Sequence, residues 1–172
     1  MSWALRPVET ADEALLLQVY ASTRAEELAL TPWDAATRDA FVQMQAQAQA
    51  RHYQAHWPGA EHKVITLTLG STRHDVGRLW FDWRLGTVHV LDLTLLPAWR
   101  GQGIGTQVLQ HLMEDARARG LALTIYVEAG NPARHLYERL GLRPVGPPSG
   151  VHQFMRWKAT PTHLMETCDE QT

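Results

Sequence analysis

The chain has 172 residues, is 45% hydrophobic and 20% charged, and carries a formal charge of −2. Those figures fit one folded domain and exclude a disordered or collagen-like chain. A near-zero charge leaves no global field to draw in nucleic acid or an anionic membrane. A single cysteine excludes an intrachain disulfide and a cysteine-based zinc site. Seven of the fourteen aromatic residues are tryptophan, and composition alone does not say whether they fill a core or line a pocket. No apolar run reaches the roughly 18 residues that a membrane span needs. The start, Met1-Ser2-Trp3-Ala4-Leu5-Arg6-Pro7, lacks the basic-then-apolar order of a secretion signal. The expectation is a cytoplasmic protein with a reduced thiol.

In chain order, residues 3–8 read as a strand. Thr10 or Asp12 caps a helix over 11–21, with Ala14, Leu15, Leu17 and Val19 as its apolar positions. Residues 22–38 are mixed, with a turn at Thr31-Pro32-Trp33-Asp34. A second helix spans about 35–56, its stripe formed by Phe41, Met44, Ala48 and Ala55, and Trp57-Pro58-Gly59 stops it. The period then becomes two. Val64–Leu69, Val76–Leu85 and Val88–Leu96, joined by short turns, read as an antiparallel meander. A helix over 104–119 presents Ile104, Val108, Leu112 and Ala116, and Gly120 ends it. A strand, Leu121–Glu128, precedes a short helix over 132–140 with Asn131 as its cap, and 151–158 is a last strand. Residues 1–158 thus form one α+β domain on a mostly antiparallel sheet, and 159–172 a polar, loose tail.

The most informative segment runs from Leu91 to Gly105, a strand, a glycine-rich turn and a helix start. Glycine lets a ligand approach the backbone, and amides at a helix N-terminus favour phosphate oxygens. Arg100 offers a charge-assisted contact. A Walker A loop would need Gly-Lys-Ser or Gly-Lys-Thr, which is absent. A Rossmann fingerprint would need glycine where Thr106 stands. The spacing is Arg-x-x-Gly-x-Gly.

Arg100-Gly101-Gln102-Gly103-Ile104-Gly105 resembles the signature of the GNAT superfamily of N-acetyltransferases. Leu121–Glu128 with Asn131-Pro132-Ala133-Arg134-His135-Leu136-Tyr137 resembles its second signature. The resemblance covers about a third of the chain strongly, from about Val88 to Gly146. It implies a mostly antiparallel mixed sheet flanked by helices, with a splayed pair of parallel strands forming the cofactor cleft. It also implies acetyl-CoA as cosubstrate. The pyrophosphate would lie on the amides of Gly101, Gln102, Gly103, Ile104, Gly105 and Thr106. The pantetheine arm would pair with the strand of Leu93 and Leu95, near Asn131 and Arg134. The Leu95 amide would bind the thioester oxygen, and Tyr137 would protonate the departing thiolate, in direct attack by a primary amine. No metal is implied.

Alternation places Asp92 with Val88, Val90 and Thr94, opposite Leu91, Leu93 and Leu95, as a candidate base for the amine, with Glu128 a weaker one. Arg24, Glu26, Glu27, Trp33 and Asp34 join the first two helices and border the expected acceptor site. Trp33 offers a flat contact and the carboxylates attract a cation. Trp80 shares a strand face with Asp82, and Trp80 or Trp83 is expected beside the acceptor. His52 and His56, four apart on a helix, read as solvated rather than metal-binding, for want of a third ligand. The expected partner is a small-molecule or peptide amine, with no nucleic acid or membrane, and a homodimer is compatible. A non-catalytic acyl-CoA sensor on the same fold is the alternative.

Overall fold

The computed structural model describes residues 1–160. Seven strands form one sheet in the order β1-β2-β3-β4-β5-β7-β6. They are β1 (Ser2–Pro7), β2 (Glu61–Leu69), β3 (Thr72–Arg84), β4 (Thr87–Leu95), β5 (Ala122–Glu128), β6 (Arg143–Pro144) and β7 (His152–Trp157). The helices are α1 (Glu13–Ala29), α2 (Ala35–His56), α3 (Ile104–Ala118) and α4 (Ala133–Arg139). Every strand pair is antiparallel except β4–β5. A parallel pair needs a crossover connection, and α3 supplies it.

The main core lies where α3 meets the sheet. Ile104, Val108, Leu109, Leu112 and Ala116 pack with Leu79, Val88, Val90, Leu123 and Met155. The spacing of those α3 positions is the helical one that the sequence shows. Tyr20, Leu28 and Val42 form a smaller core between α1 and α2. The predicted tail begins with Ala159, which packs on the main core; residues 161–172 of that tail lie outside the described residues. Among the described residues, no helix is long and apolar enough to cross a membrane.

Three elements differ from the sequence expectation. Helix α1 continues to Ala29 instead of stopping near residue 21. Arg24, Ala25, Glu26, Glu27 and Leu28 are all competent helix formers, and Leu28 is buried against α2. Secondly, of the expected stripe of Phe41, Met44, Ala48 and Ala55, only Phe41 packs inward on α2. Met44, Ala48 and Ala55 are exposed, and the other inward positions include Val42, Gln45, Ala46, Gln49 and Tyr53. Gln49 and Tyr53 face inward because they meet a polar cleft, and Gln45 because it meets the Tyr20 hydroxyl.

Thirdly, β4 carries a bulge. Trp80 pairs with Asp92 and Phe81 with Val90, so β3 skips Leu91. A bulge resets the side-chain alternation. Val88 and Val90 before it, and Leu93 and Leu95 after it, therefore all reach the main core. Asp92 does not share a face with Val88 and Val90, as strict alternation predicts.

Candidate active site

The β4–β5 pairing begins at Thr87/Ala122 and ends at Val90/Ile125, although both strands continue. Beyond that point β4 stays bonded to β3 only, and an open slot separates its free edge from β5. The Leu96 amide donates to the Val76 carbonyl of β3 at 2.8 Å. Successive amides along an extended strand point to opposite sides. The Leu95 and Leu93 amides are thereby directed away from β3, into the slot.

The glycine loop lies at the end of β4. Gly101 and Gly103 have φ of 70° and 81°, in the left-handed region, and Gly103 caps α3. A side chain there would be strained. A Cβ at either would meet nothing within 4 Å, so the loop faces open space. The first amides of α3, those of Ile104, Gly105 and Thr106, have no partner within the helix. This is a cradle that suits a phosphate group.

Arg100 is occupied elsewhere. Its Nε donates to the Leu95 carbonyl at 2.8 Å and its Nη2 to Ser22 Oγ at 3.0 Å, tying the loop to β4 and α1. Gln102 Nε2 donates to the Ala98 carbonyl at 3.0 Å. Arg134 pairs with Glu138 on the half-exposed face of α4 at 2.9 Å. Asn131 Oδ1 accepts from the Ala133 amide at 2.9 Å and so starts α4.

A cleft of about 290 Å³ opens where β4 and β5 part. It is lined by Leu91–Thr94 of β4, by Ile125, Tyr126 and Glu128 of β5, and by Asn131 and Tyr137. Helices α1 and α2 form the opposite wall. Tyr137 is 5% exposed. Burial, followed by the neighbouring Asp92 carboxylate, pushes its hydroxyl up to about 12. At neutral pH it is therefore a protonated donor. Tyr53, on α2, is raised to about 12 for the same two reasons.

Asp92 also lines the cleft, but its oxygens are engaged. Oδ2 accepts from Arg78 Nε at 2.6 Å, and Oδ1 from Thr94 Oγ1 at 2.7 Å. Arg78 Nη2 donates to Gln49 Oε1 at 2.8 Å. The Arg78 side chain is 5% exposed, so Asp92 neutralises a buried cation that would otherwise be costly.

Of the acceptor-side candidates, Glu27 lines the cleft beside Arg24, both on α1. Glu26 is exposed on the same helix and is not part of the lining. Trp33 and Asp34 are not brought to the cleft. Asp34 caps α2 by accepting from the Thr37 amide at 2.8 Å, and Trp33 rests edge-on against Phe41. Trp80 is buried between Tyr53 and His62, and Trp83 lies against Phe81 with Arg119 over its ring. None of the seven tryptophans lines the cleft. His56 Nδ1 is bonded to the His52 carbonyl, and among the described residues no cluster of three metal-ligating side chains exists.

Sequence reasoning missed Tyr20, Gln49, Tyr53 and Arg78. The signal was present for the α2 pair, since Gln49 and Tyr53 stand four apart on one helix face.

Comparison with known proteins is consistent with this geometry. Residues 34–142 match the model of the acetyltransferase (GNAT) family. The chain is 32% identical over 163 residues to an L-methionine sulfoximine/L-methionine sulfone acetyltransferase of Pseudomonas paraeruginosa, covering 91% of this chain and 90% of the relative. A Pseudomonas aeruginosa protein of the same name is also 32% identical, over 169 residues, with 91% and 90% covered. Among solved structures, the chain is similar to the PaiA N-acetyltransferase of Thermoplasma acidophilum in complex with coenzyme A. The TM-score is 0.66 at 16% identity, with 92% of this chain and all of that one covered. An acetyltransferase of Thermus thermophilus gives 0.65 at 20% identity, with 92% and 98% covered. At those identities the likeness is one of fold.

Proposed function

Since this chain belongs to the acetyltransferase (GNAT) family, we propose that it transfers the acetyl group of acetyl-CoA to the primary amine of a small acceptor, by direct attack in a ternary complex. The observation that carries this reading is the parting of β4 from β5 after Val90/Ile125, which opens a cleft lined by Leu91–Thr94 and Tyr137.

The residues present fit acetyl-CoA. The amides from Gly101 to Thr106 would hold its pyrophosphate, and the free edge of β4 at Leu93 and Leu95, with Asn131 opposite, would hold the pantetheine arm. When bound, it supplies an acyl group already activated as a thioester. The Leu95 amide then donates to the carbonyl oxygen, where negative charge grows during transfer. Tyr137 holds a proton at its Oη and gives it to the departing sulfur. A thiolate leaves readily, so this donation contributes at the low end for acid catalysis, about 10²-fold.

Asp92 acts differently from an isolated base. Arg78 and Thr94 already engage both its oxygens, so it would accept from the amine only through a remaining lone pair and orient it, while the amine's proton passes through water to solvent. Neither cysteine nor serine is among the described residues lining the cleft, which favours direct attack over a covalent intermediate. Holding amine and thioester together supplies much of the acceleration.

The test is release of free CoA thiol from acetyl-CoA across amine acceptors, beginning with L-methionine sulfoximine and L-methionine sulfone. Tyr137→Phe should lower kcat about 10²-fold with little change in the KM for acetyl-CoA. Unchanged kcat would remove Tyr137 from the acid role. Thiol release with no amine at all would count against the acetyltransferase reading.

A further inference from the structure

The charged groups around the cleft are not equally committed. Arg78 is buried and its Nε and Nη2 are held at close range by Asp92 and Gln49. His152 lies 3.5 Å from Glu128. Arg24, on α1, is held only loosely. Its Nε donates to Tyr20 Oη at 3.3 Å, and its Nη1 reaches the Glu27 carboxylate at 3.3 and 3.5 Å. Those distances are at or beyond the long end of the hydrogen-bond range. Its Nη2 makes no hydrogen bond among the described residues, yet the side chain is only 30% exposed and lines the cleft. Across the cleft, Glu128 of β5 is close enough to act on its charge.

Guanidinium recognises a carboxylate through two parallel N–H···O bonds. Arg24 has the free donors for that, and Glu27 and Glu128, both largely exposed at the rim, suit an ammonium. The wall thus presents one loosely held cation beside two carboxylates that are held at 3.3 Å or more. A polyamine would leave Arg24 facing a like charge. A zwitterion would satisfy both signs.

Resting on the acetyltransferase reading, we infer that Arg24 binds the carboxylate of the acceptor, and that the acceptor is an amine of the amino-acid class. Tyr20 supports the assignment. Its hydroxyl accepts from Arg24 Nε and donates to Gln45 Oε1, both at 3.3 Å, a loose hold on one edge of the guanidinium that leaves Nη2 to a ligand.

The experiment compares L-methionine sulfone with 3-(methylsulfonyl)propan-1-amine, which differs only in lacking the carboxylate. Each is assayed by thiol release with wild type, Arg24→Gln and Arg24→Lys, whose folding is verified by thermal melting. Wild type should prefer the amino acid in kcat/KM. Arg24→Gln should lower that preference about 10- to 100-fold, the loss expected for one charge-assisted pair. Arg24→Lys should lie between, since it keeps the charge and loses the fork. The KM for acetyl-CoA should stay the same. Equal use of both acceptors by wild type, or an undiminished preference in Arg24→Gln, would overturn the carboxylate assignment and leave the acetyltransferase reading standing. Release with neither acceptor, nor with any other matched pair, would instead overturn both.

Discussion

The Tyr53 hydroxyl on α2 donates to the Leu91 carbonyl at 3.2 Å, and Leu91 is the β4 residue that β3 skips. An unpaired bulge carbonyl thus finds its donor on a helix, not in the ladder. The contact joins α2 to the strand edge that parts from β5. Tyr53 also meets Trp80 edge-on at 4.8 Å. The helix, the bulge and Trp80 of β3 are therefore one packed unit.

Replacing Tyr53 by Phe should keep the ring contact and orphan the Leu91 carbonyl. The expected cost is about 1 kcal/mol, a fall in Tm of about 2–4 °C for a chain of this size. If the bulge sets the direction of the strand edge, kcat should fall as well, by more than the acetyl-CoA KM rises. Thermal melting and steady-state kinetics on one preparation check both.

Gly77 on β3 pairs with Leu95. A Cβ there would lie 2.3 Å from the Thr94 carbonyl oxygen and 3.0 Å from Leu95 Cα, both backbone atoms. Something must shift, so Gly77→Ala should push β3 and β4 apart at the amide assigned to the thioester oxygen. Overpacking of this kind costs about 1–3 kcal/mol. The expected signature is a larger loss in kcat than in acetyl-CoA affinity, with binding followed by thermal shift. A variant with wild-type kcat would show that the Leu95 amide does not need this close approach.

Much of this was legible in the sequence because it depends on local rules. The glycine loop is readable since left-handed backbone at Gly101 and Gly103 demands glycine, and α3 since its apolar face repeats at helical spacing. The side of Asp92 was not readable. One extra residue at Leu91 inverts every later position, and nothing in Leu91-Asp92-Leu93 announces it. The α2 face failed for another reason. Its inward residues include two glutamines and a tyrosine, which a search for apolar stripes discards. Position between the helices, for Trp33, and strand face, for Trp80, point toward the acceptor, whereas one packs on Phe41 and the other on His62.

Arg78 and Asp92 should behave as one unit. Removing only one charge strands the other in a largely buried site, at a cost of about 3–5 kcal/mol. Arg78→Met and Asp92→Leu should therefore each be severe, and the double variant should cost clearly less than their sum. Denaturant titration of all four proteins gives the coupling directly. Additive losses would mean that the pair contributes no mutual stabilisation.

Stability should fall at both ends of the pH scale for separable reasons. His89 is held down to about 4, chiefly by burial and then by Arg84, and His62 is lowered to about 4 by burial and Arg78. Each is neutral when folded and has a higher affinity for protons when unfolded. Their contribution is complete above the ordinary histidine value of 6.5 and is lost as pH falls toward 4. For His89 alone the loss between pH 8 and pH 5 is at most about 2 kcal/mol. Tyr53 and Tyr137 have the opposite sign. Both are raised from 10 to about 12, so their contribution is complete below 10 and is lost as pH rises toward 12. Urea titrations across pH should give a plateau between these limbs. His89→Gln should flatten the acid limb and leave the alkaline one, because only the tyrosines govern it. An unchanged acid limb in that variant would assign the loss to His62 and to Asp12, which Arg6 holds down to about 2.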